Sequence, residues 1–483
     1  MKKIYNPLIL FLMTFVFFSC GKRDENVPLD ESDRIQPAPA VEKPIDTAQN
    51  KEIKTASLKL YVENTASMNG YIEGFTGFKE VLARLINEVE VLDTPNYSTH
   101  LYLINNKITE LNIPNRITTD LNKDVAFGKG DRGNSDFEKV ISKILEEHHK
   151  DDISVLAADF IYSPKDGSTR QRLEEFQEFT KQAFLNSDIK KKNLEVLFLR
   201  FNSDFNDKYY DINNNEITGI KKRPYYLMIL ANQQLMTEFR NKVNPKLISR
   251  SDFENSVYFD SKSTNEYPLD DYSILTSTLN SAPLKANKIE GKKIKSVSAP
   301  RDEKLQMAIA LNLSKIPVSE NYKLNISNYK LENYEIKKIG EIENNQIIFS
   351  DSENPITIMG SDKDKLEDLT HVFLITSAEN NIEELKFNIK KQVPSWVNES
   401  SIIDDRDITE NSIKQKQTFG LKYFINGIHD AYKRNNNNYY SSLSVSIVPV
   451  SEGSGLGSLL FVGLLIVIVI GIIMIIKNKK QRQ

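Results

Sequence analysis

A chain of 483 residues exceeds the roughly 250–300 residues at which a single hydrophobic core stops growing, so two or three folded units are expected. Its formal net charge of −3 gives no reason to expect nucleic acid as a partner, which would favour a strongly basic face, and a charged fraction of 27% is ordinary for a globular protein. The single cysteine, Cys20, excludes an internal disulfide.

Residues 1–20 begin with Lys2 and Lys3, continue through an apolar run at 8–18 broken only by Thr14, and end at Ser19 and Cys20. That layout is a secretory signal, too short for a comfortable membrane span. It resembles a bacterial lipoprotein signal, which implies that the Cys20 thiol is acylated and becomes the new N-terminus. Phe17 and Phe18 depart from the aliphatic and smaller residues usual there. Residues 21–55 carry four prolines and many charges without apolar periodicity, the composition of a flexible tether that cannot bury enough surface to offset chain entropy.

Residues 56–244 alternate apolar runs with helical patterns. Strands are expected at 58–62, 101–104, 108–113, 153–158, 196–201 and 225–230. Between them Phe78, Val81, Leu82, Leu85, Ile86 and Val89 recur at helical spacing, as do Phe137, Val140, Ile141, Ile144 and Leu145. A third helix uses Leu173, Phe176, Ala183 and Phe184, and a fourth is expected at 233–243. The alternation predicts an α/β unit with a doubly wound, mostly parallel sheet.

Residues 245–450 change rhythm. Strands joined by Asn, Asp and Gly turns are expected near 305–313, 322–326, 334–342, 346–350, 371–377 and 382–389. They predict a second, β-rich, sandwich-like domain with a late helix at 419–432 that can pack on either unit. A short linker at 451–455 leads to residues 456–476, which contain no charge and span about 31 Å as a helix, the thickness of a bilayer core. Lys477, Lys479, Lys480 and Arg482 make 477–483 a basic cytoplasmic tail by the positive-inside rule. Together the two ends predict a bacterial inner-membrane protein held by the Cys20 lipid and a C-terminal transmembrane helix, with its bulk on the periplasmic face.

The first strand ends in Tyr61-Val62-Glu63-Asn64-Thr65-Ala66-Ser67-Met68-Asn69-Gly70. Gly133-Asn134-Ser135-Asp136 opens the second long helix, and Asp159 closes the buried strand at 153–158. In that order these segments resemble the von Willebrand factor A domain, in which a strand runs into Asp-x-Ser-x-Ser, a Gly-Gly-Thr-Asp-type segment opens a helix, and a later strand ends in Asp-Gly. The resemblance covers residues 57–243. It implies a metal site formed by Glu63, Thr65, Ser67, Ser135 and Asp159, occupied by Mg2+ with Mn2+ or Ca2+ as alternatives, and an open coordination position for the carboxylate of an envelope protein partner. Two departures stand out: Glu63 replaces Asp and adds a methylene, and Phe160 follows Asp159 where the family has Gly. Hydroxyl and carboxylate oxygens at the carboxyl ends of strands suit a hard cation on general grounds.

Other residues point to no chemistry. Gly128-Lys129-Gly130 lacks the spacing of a phosphate loop, and Gly453-Ser454-Gly455 is tether rather than a nucleophile elbow. His148-His149 reads as a solvated helix end, Asp404-Asp405 as a charged loop, and Trp396 as a packing anchor. A binding module is therefore expected rather than an enzyme. The alternatives are a metal-dependent hydrolase recruiting Asp131 or Asp136 to the same cluster, and a metal-free structural envelope protein.

Overall fold

The computed structural model describes residues 57–449, apart from 91, 93–96, 127–128, 134–135, 163–168, 188–192, 261, 263–266, 276–284, 291–292, 300–303, 353, 381–382 and 434–437. The elements of the first layer are, in chain order, β1 (Ser57–Glu63), α1 (Gly77–Val89), β2 (Ser98–Ile104), β3 (Ile108–Leu111), α2 (Phe137–Glu147), β4 (Asp152–Ala158) and α3 (Thr169–Asn186). They are followed by β5 (Leu194–Asp204), β6 (Lys222–Asn232), α4 (Gln233–Lys242), β7 (Phe253–Phe259) and, much later, α5 (Leu421–Lys433). Side-chain caps start three of the helices: Thr76 accepts from the Lys79 N–H, Asp136 from Lys139, and Asn232 from Leu235.

The seven strands form one sheet in the order β3-β2-β1-β4-β6-β5-β7. The expectation of a doubly wound, mostly parallel sheet is overturned by the pairing. Only β1 with β2 and β1 with β4 run parallel, whereas β2/β3, β4/β6, β5/β6 and β5/β7 are antiparallel. The cause lies in the link between β5 and β6. A parallel neighbour requires a crossover, usually a helix, but the chain leaves β5 through a small ribbon, Tyr209–Tyr210 against Glu216–Ile217, and returns directly, pairing Asp204 with Lys222.

The central strands β4, β5 and β6 are buried on both faces, and with β1 they supply alternate residues to two cores. Leu58, Leu60 and Val62 face α1, whose Phe78, Val81, Leu82, Leu85, Ile86 and Val89 are buried with them. Each such side chain contributes roughly 1.5–3 kcal/mol. Tyr61, Leu156, Ala158, Phe198 and Tyr226 face the opposite way, onto α2, α3 and α5. There Phe137, Phe160, Phe176 and Phe424 form a tilted and edge-on aromatic cluster. The late helix α5 thus packs on the α/β layer, and Trp396 joins the same core while its Nε1 donates to the Ser256 carbonyl.

The strands that follow β7, including one beyond α5, form two further sheets. One has six strands and includes Gln306–Leu311, Tyr334–Glu343 and His371–Ser377; the other has five and includes Tyr329–Glu332, Glu384–Lys390 and Tyr439–Pro449. Met307, Ile309, Phe373 and Ile375 of the first meet Leu385, Phe387, Ile389 and Val445 of the second across a shared core, which makes the pair a sandwich.

No helix among the described residues is long and apolar enough to cross a membrane. The transmembrane helix and the inner-membrane location expected from it therefore receive no support from the structure. Cys20, the tether at 21–55 and residues 450–483, including 456–476, lie outside the described residues.

Candidate functional site

The strands β1 and β4 are parallel neighbours, with Val62 opposite Ala157, so Glu63 and Asp159 stand at adjacent carboxyl ends. The crossover leaving β1 through α1 and the one entering β4 through α2 lie on opposite faces of the sheet. Where crossovers diverge in this way, the loops part and leave a crevice beyond the strand ends. A cavity of about 310 Å³ opens there, lined by Glu63, Thr65, Ala66, Ser67, Arg132, Gly133, Ile161, Tyr210, Asp211 and Asn214.

The loop after β1 is held from several sides. The Asn64 amide donates to the carbonyls of Ala126 and Lys129, while its Oδ1 accepts from Arg132 Nε at 2.9 Å. Arg132 also donates to the Thr65 carbonyl and to Asn69 Oδ1, and its own carbonyl accepts from the Ala66 N–H. A short turn at Ala66–Met68 then brings Thr65 Oγ1 within 2.8 Å of Ser67 Oγ.

Asp159 lies under this loop, 1% exposed. Its Oδ1 accepts from the Ile161 N–H at 3.1 Å, and its Oδ2 has no hydrogen-bond partner among the described residues. Burial pushes its carboxyl upward from the usual range, opposed by the Ile161 N–H, the Ser67 hydroxyl and the Arg223 guanidinium. Phe160, where glycine was expected by resemblance, adopts a left-handed backbone with φ of 55°, the region glycine favours. Its ring is fixed by Phe137, Phe198, Tyr226 and Phe424, which offsets the strain.

Beneath the pocket sits a buried cation that sequence reasoning missed. Arg223 is 1% exposed; its Nη1 donates to the carbonyls of Lys414 and Gln415, and its guanidinium lies 4.4 Å from the centre of the Tyr209 ring. The Tyr209 hydroxyl donates to Asp405, whose other oxygen accepts from the Ile212 N–H. Burial disfavours the charge on Arg223, yet the surrounding Tyr209, Tyr71 and Asp159 more than compensate and raise its pKa.

The structure thus brings Glu63, Thr65, Ser67 and Asp159 to one rim, while Ser135 lies outside the described residues. It assigns other roles to the remaining candidates. Asp136 caps α2 and pairs with Lys139, and Asp131 turns back onto the Gly133 N–H. His148 is buried rather than solvated, its Nδ1 2.9 Å from Ser154 Oγ. Asp405 is a buried acceptor and only Asp404 is a surface charge, paired with Arg406. Arg132 and Asp211 also went unread. The Asp211-Ile-Asn-Asn-Asn run is a turn signal that could have flagged the second: Asp211 is 5% exposed and caps the N–H groups of Asn213 and Asn215.

No family model, curated protein or solved structure matches the chain. Nothing in those comparisons identifies a von Willebrand factor A domain, so that likeness rests on residues 61–70, 133–136 and Asp159 alone. Elsewhere, in the sandwich, Glu320, Glu341 and His371 form a group able to hold a metal ion, with one ligand atom of each within 4.8 Å of the others.

Proposed function

We propose that this protein is a binding module that receives an acidic side chain of a partner protein at the pocket beyond β1 and β4. The observation that carries the reading is the convergence of Glu63, Thr65, Ser67 and Arg132 on one open cavity, with the buried Asp159 carboxyl tied to Ser67. A rigid loop with oxygen donors on one wall and a guanidinium on another suits orientation of a ligand. Among the described residues Asp131 instead accepts from the Gly133 N–H and Asp136 caps α2.

The donor set fits a hard divalent cation such as Mg2+. The buried carboxylates of Glu63 and Asp159 stand close to the hydroxyls of Thr65 and Ser67, an all-oxygen set. Glu63, Thr65, Ser67 and Asp159 would hold the ion, which when bound supplies a docking point for the partner's carboxylate. Arg132 orients the loop through Asn64, Thr65 and Asn69. Asp211 keeps the facing turn closed, and Tyr210 and Ile161 narrow the entrance.

A second, metal-free reading is favoured by Arg132 itself, since a guanidinium in the pocket wall can pair with a carboxylate directly. Calorimetric titration of Mg2+ and Mn2+ into the full-length chain separates the two. Saturable binding that Asp159→Ala abolishes supports the ion-dependent module. Partner capture that survives chelator but fails in Arg132→Ala supports the metal-free one. Hydrolytic turnover that Asp159→Ala eliminates would overturn both.

A further inference from the structure

We propose that Glu320, Glu341 and His371 form a site for a divalent transition-metal ion, Zn2+ by preference, which clips the turn Glu320–Lys323 to the six-stranded sheet. The three residues come from separate elements. Glu341 and His371 stand directly opposite each other on antiparallel strands, and Glu320 reaches over from the preceding helical turn. Their ligand atoms lie within 4.8 Å of one another. Ligands placed tetrahedrally at about 2.0–2.1 Å from an ion are about 3.4 Å apart, so closure asks for a shift of about an ångström. Glu320, with its side chain 57% exposed, can make that shift without repacking anything.

A cluster of acidic groups alone would not carry this; the burial and aim of the His371 ring do. His371 is 2% exposed, and its Nδ1 lies 2.8 Å from Thr370 Oγ1. That hydroxyl accepts from the Leu313 N–H at 2.9 Å and donates to the Leu311 carbonyl at 3.3 Å. A Thr370 hydroxyl that donates to Leu311 accepts from Nδ1, and in that tautomer the Nε2 lone pair is available to a metal ion. Nε2 is buried and 3.2 Å from Glu320 Oε2, yet it makes no aligned hydrogen bond. A hydroxyl that fixes one imidazole nitrogen while the other faces carboxylates is the arrangement that orients histidine ligands.

The second Glu320 oxygen is already used, since Oε1 holds Lys323 Nζ at 2.6 Å, which leaves Oε2 for the ion. An imidazole with two carboxylates selects borderline ions over Mg2+ and Ca2+, which prefer all-oxygen shells. Three protein ligands leave a fourth position on the exposed Glu320 side for water.

The test loads Co2+ and Zn2+ onto chelator-treated full-length protein, in wild type, Glu320→Gln, Glu341→Gln and His371→Gln. An Asp159→Ala background removes any ion held at the β1–β4 pocket. The expected result is one Zn2+ per chain that a hundredfold excess of Mg2+ does not displace. Visible Co2+ bands and a Zn2+-dependent rise in melting temperature should accompany it, each lost in all three variants. Glu320→Gln, at an exposed position, keeps the test valid if the buried His371 variant fails to fold. Zn2+ affinity in Glu320→Gln and Glu341→Gln within twofold of wild type would overturn the proposal. So would a metal-free His371 ring found doubly protonated by NMR and unaffected by Zn2+.

Discussion

A Cβ added at Gly130 would sit 2.2 Å from Asn105 Oδ1, closer than real Cβ contacts come. The backbone there has φ of 101°, and the approach lets Asn105 Nδ2 donate to the carbonyls of both Asn64 and Lys129. Gly130→Ala should therefore cost about 2–3 kcal/mol, from strain and from displaced buried hydrogen bonds. Urea denaturation measures the loss. Because Asn64 and Arg132 share this network, ligand binding at the pocket should weaken even where the variant stays folded.

Phe160 makes an unusual prediction about side-chain size. Truncating it removes a ring packed against four others, at a cost of about 3–5 kcal/mol. Its φ of 55° penalises alanine but not glycine. Phe160→Gly should therefore be more stable than Phe160→Ala by about 1 kcal/mol, the reverse of the order in helices and strands. Parallel denaturation curves of the two variants decide it.

Arg223 should not be replaceable by lysine. It spans two backbone carbonyls and lies over the Tyr209 ring, a combination that suits a planar group with several donors. Arg223→Met should cost about 3–5 kcal/mol, as removal of a buried charge partner does, and Arg223→Lys should recover less than half of it. Thermal melts monitored by tyrosine fluorescence give both numbers.

Glu195 gives the protein a pH dependence. Burial pushes its carboxyl up from 4.5 to about 7, while the Tyr258 hydroxyl donates to it and moderates the rise. The folded state thus holds a proton that the unfolded chain releases near pH 4.5, so this contribution is fully present below that pH. It is lost as pH rises through about 7, by about 3 kcal/mol. Denaturation midpoints at pH 5 and pH 8 should differ more for wild type than for Glu195→Gln. Equal slopes in the two proteins would contradict the assignment.

How much of this was legible in the sequence differs between elements. The strands that carry Glu63 and Asp159 announce themselves as short apolar runs closed by a polar residue, and the face of α1 follows from helical spacing. Strand direction was harder to read. A run buried on both faces looks the same whether its neighbour is parallel or antiparallel. The informative sign was a missing one: no helical pattern separates the runs at 196–201 and 225–230. Arg132 and Arg223 were not legible at all, because the acceptors of their side-chain hydrogen bonds lie 63 to 192 residues away, and nothing local marks an arginine as buried. The His371 site belongs to the same class, since strand pairing alone places Glu341 beside it.

The Tyr432 hydroxyl donates to the Leu194 carbonyl across 238 residues of chain. Until α5 arrives, the aromatic cluster between the sheet and helices α2 and α3 lacks the cover of Phe424, which leaves Phe137, Phe176 and Phe198 partly open to water. The nascent protein must therefore guard a sticky aromatic surface through most of its own synthesis, and rapid local closure is denied to it by topology. A fragment ending at residue 244 inherits that exposure permanently. Such a piece should aggregate, whereas one carried through to the last helix should not.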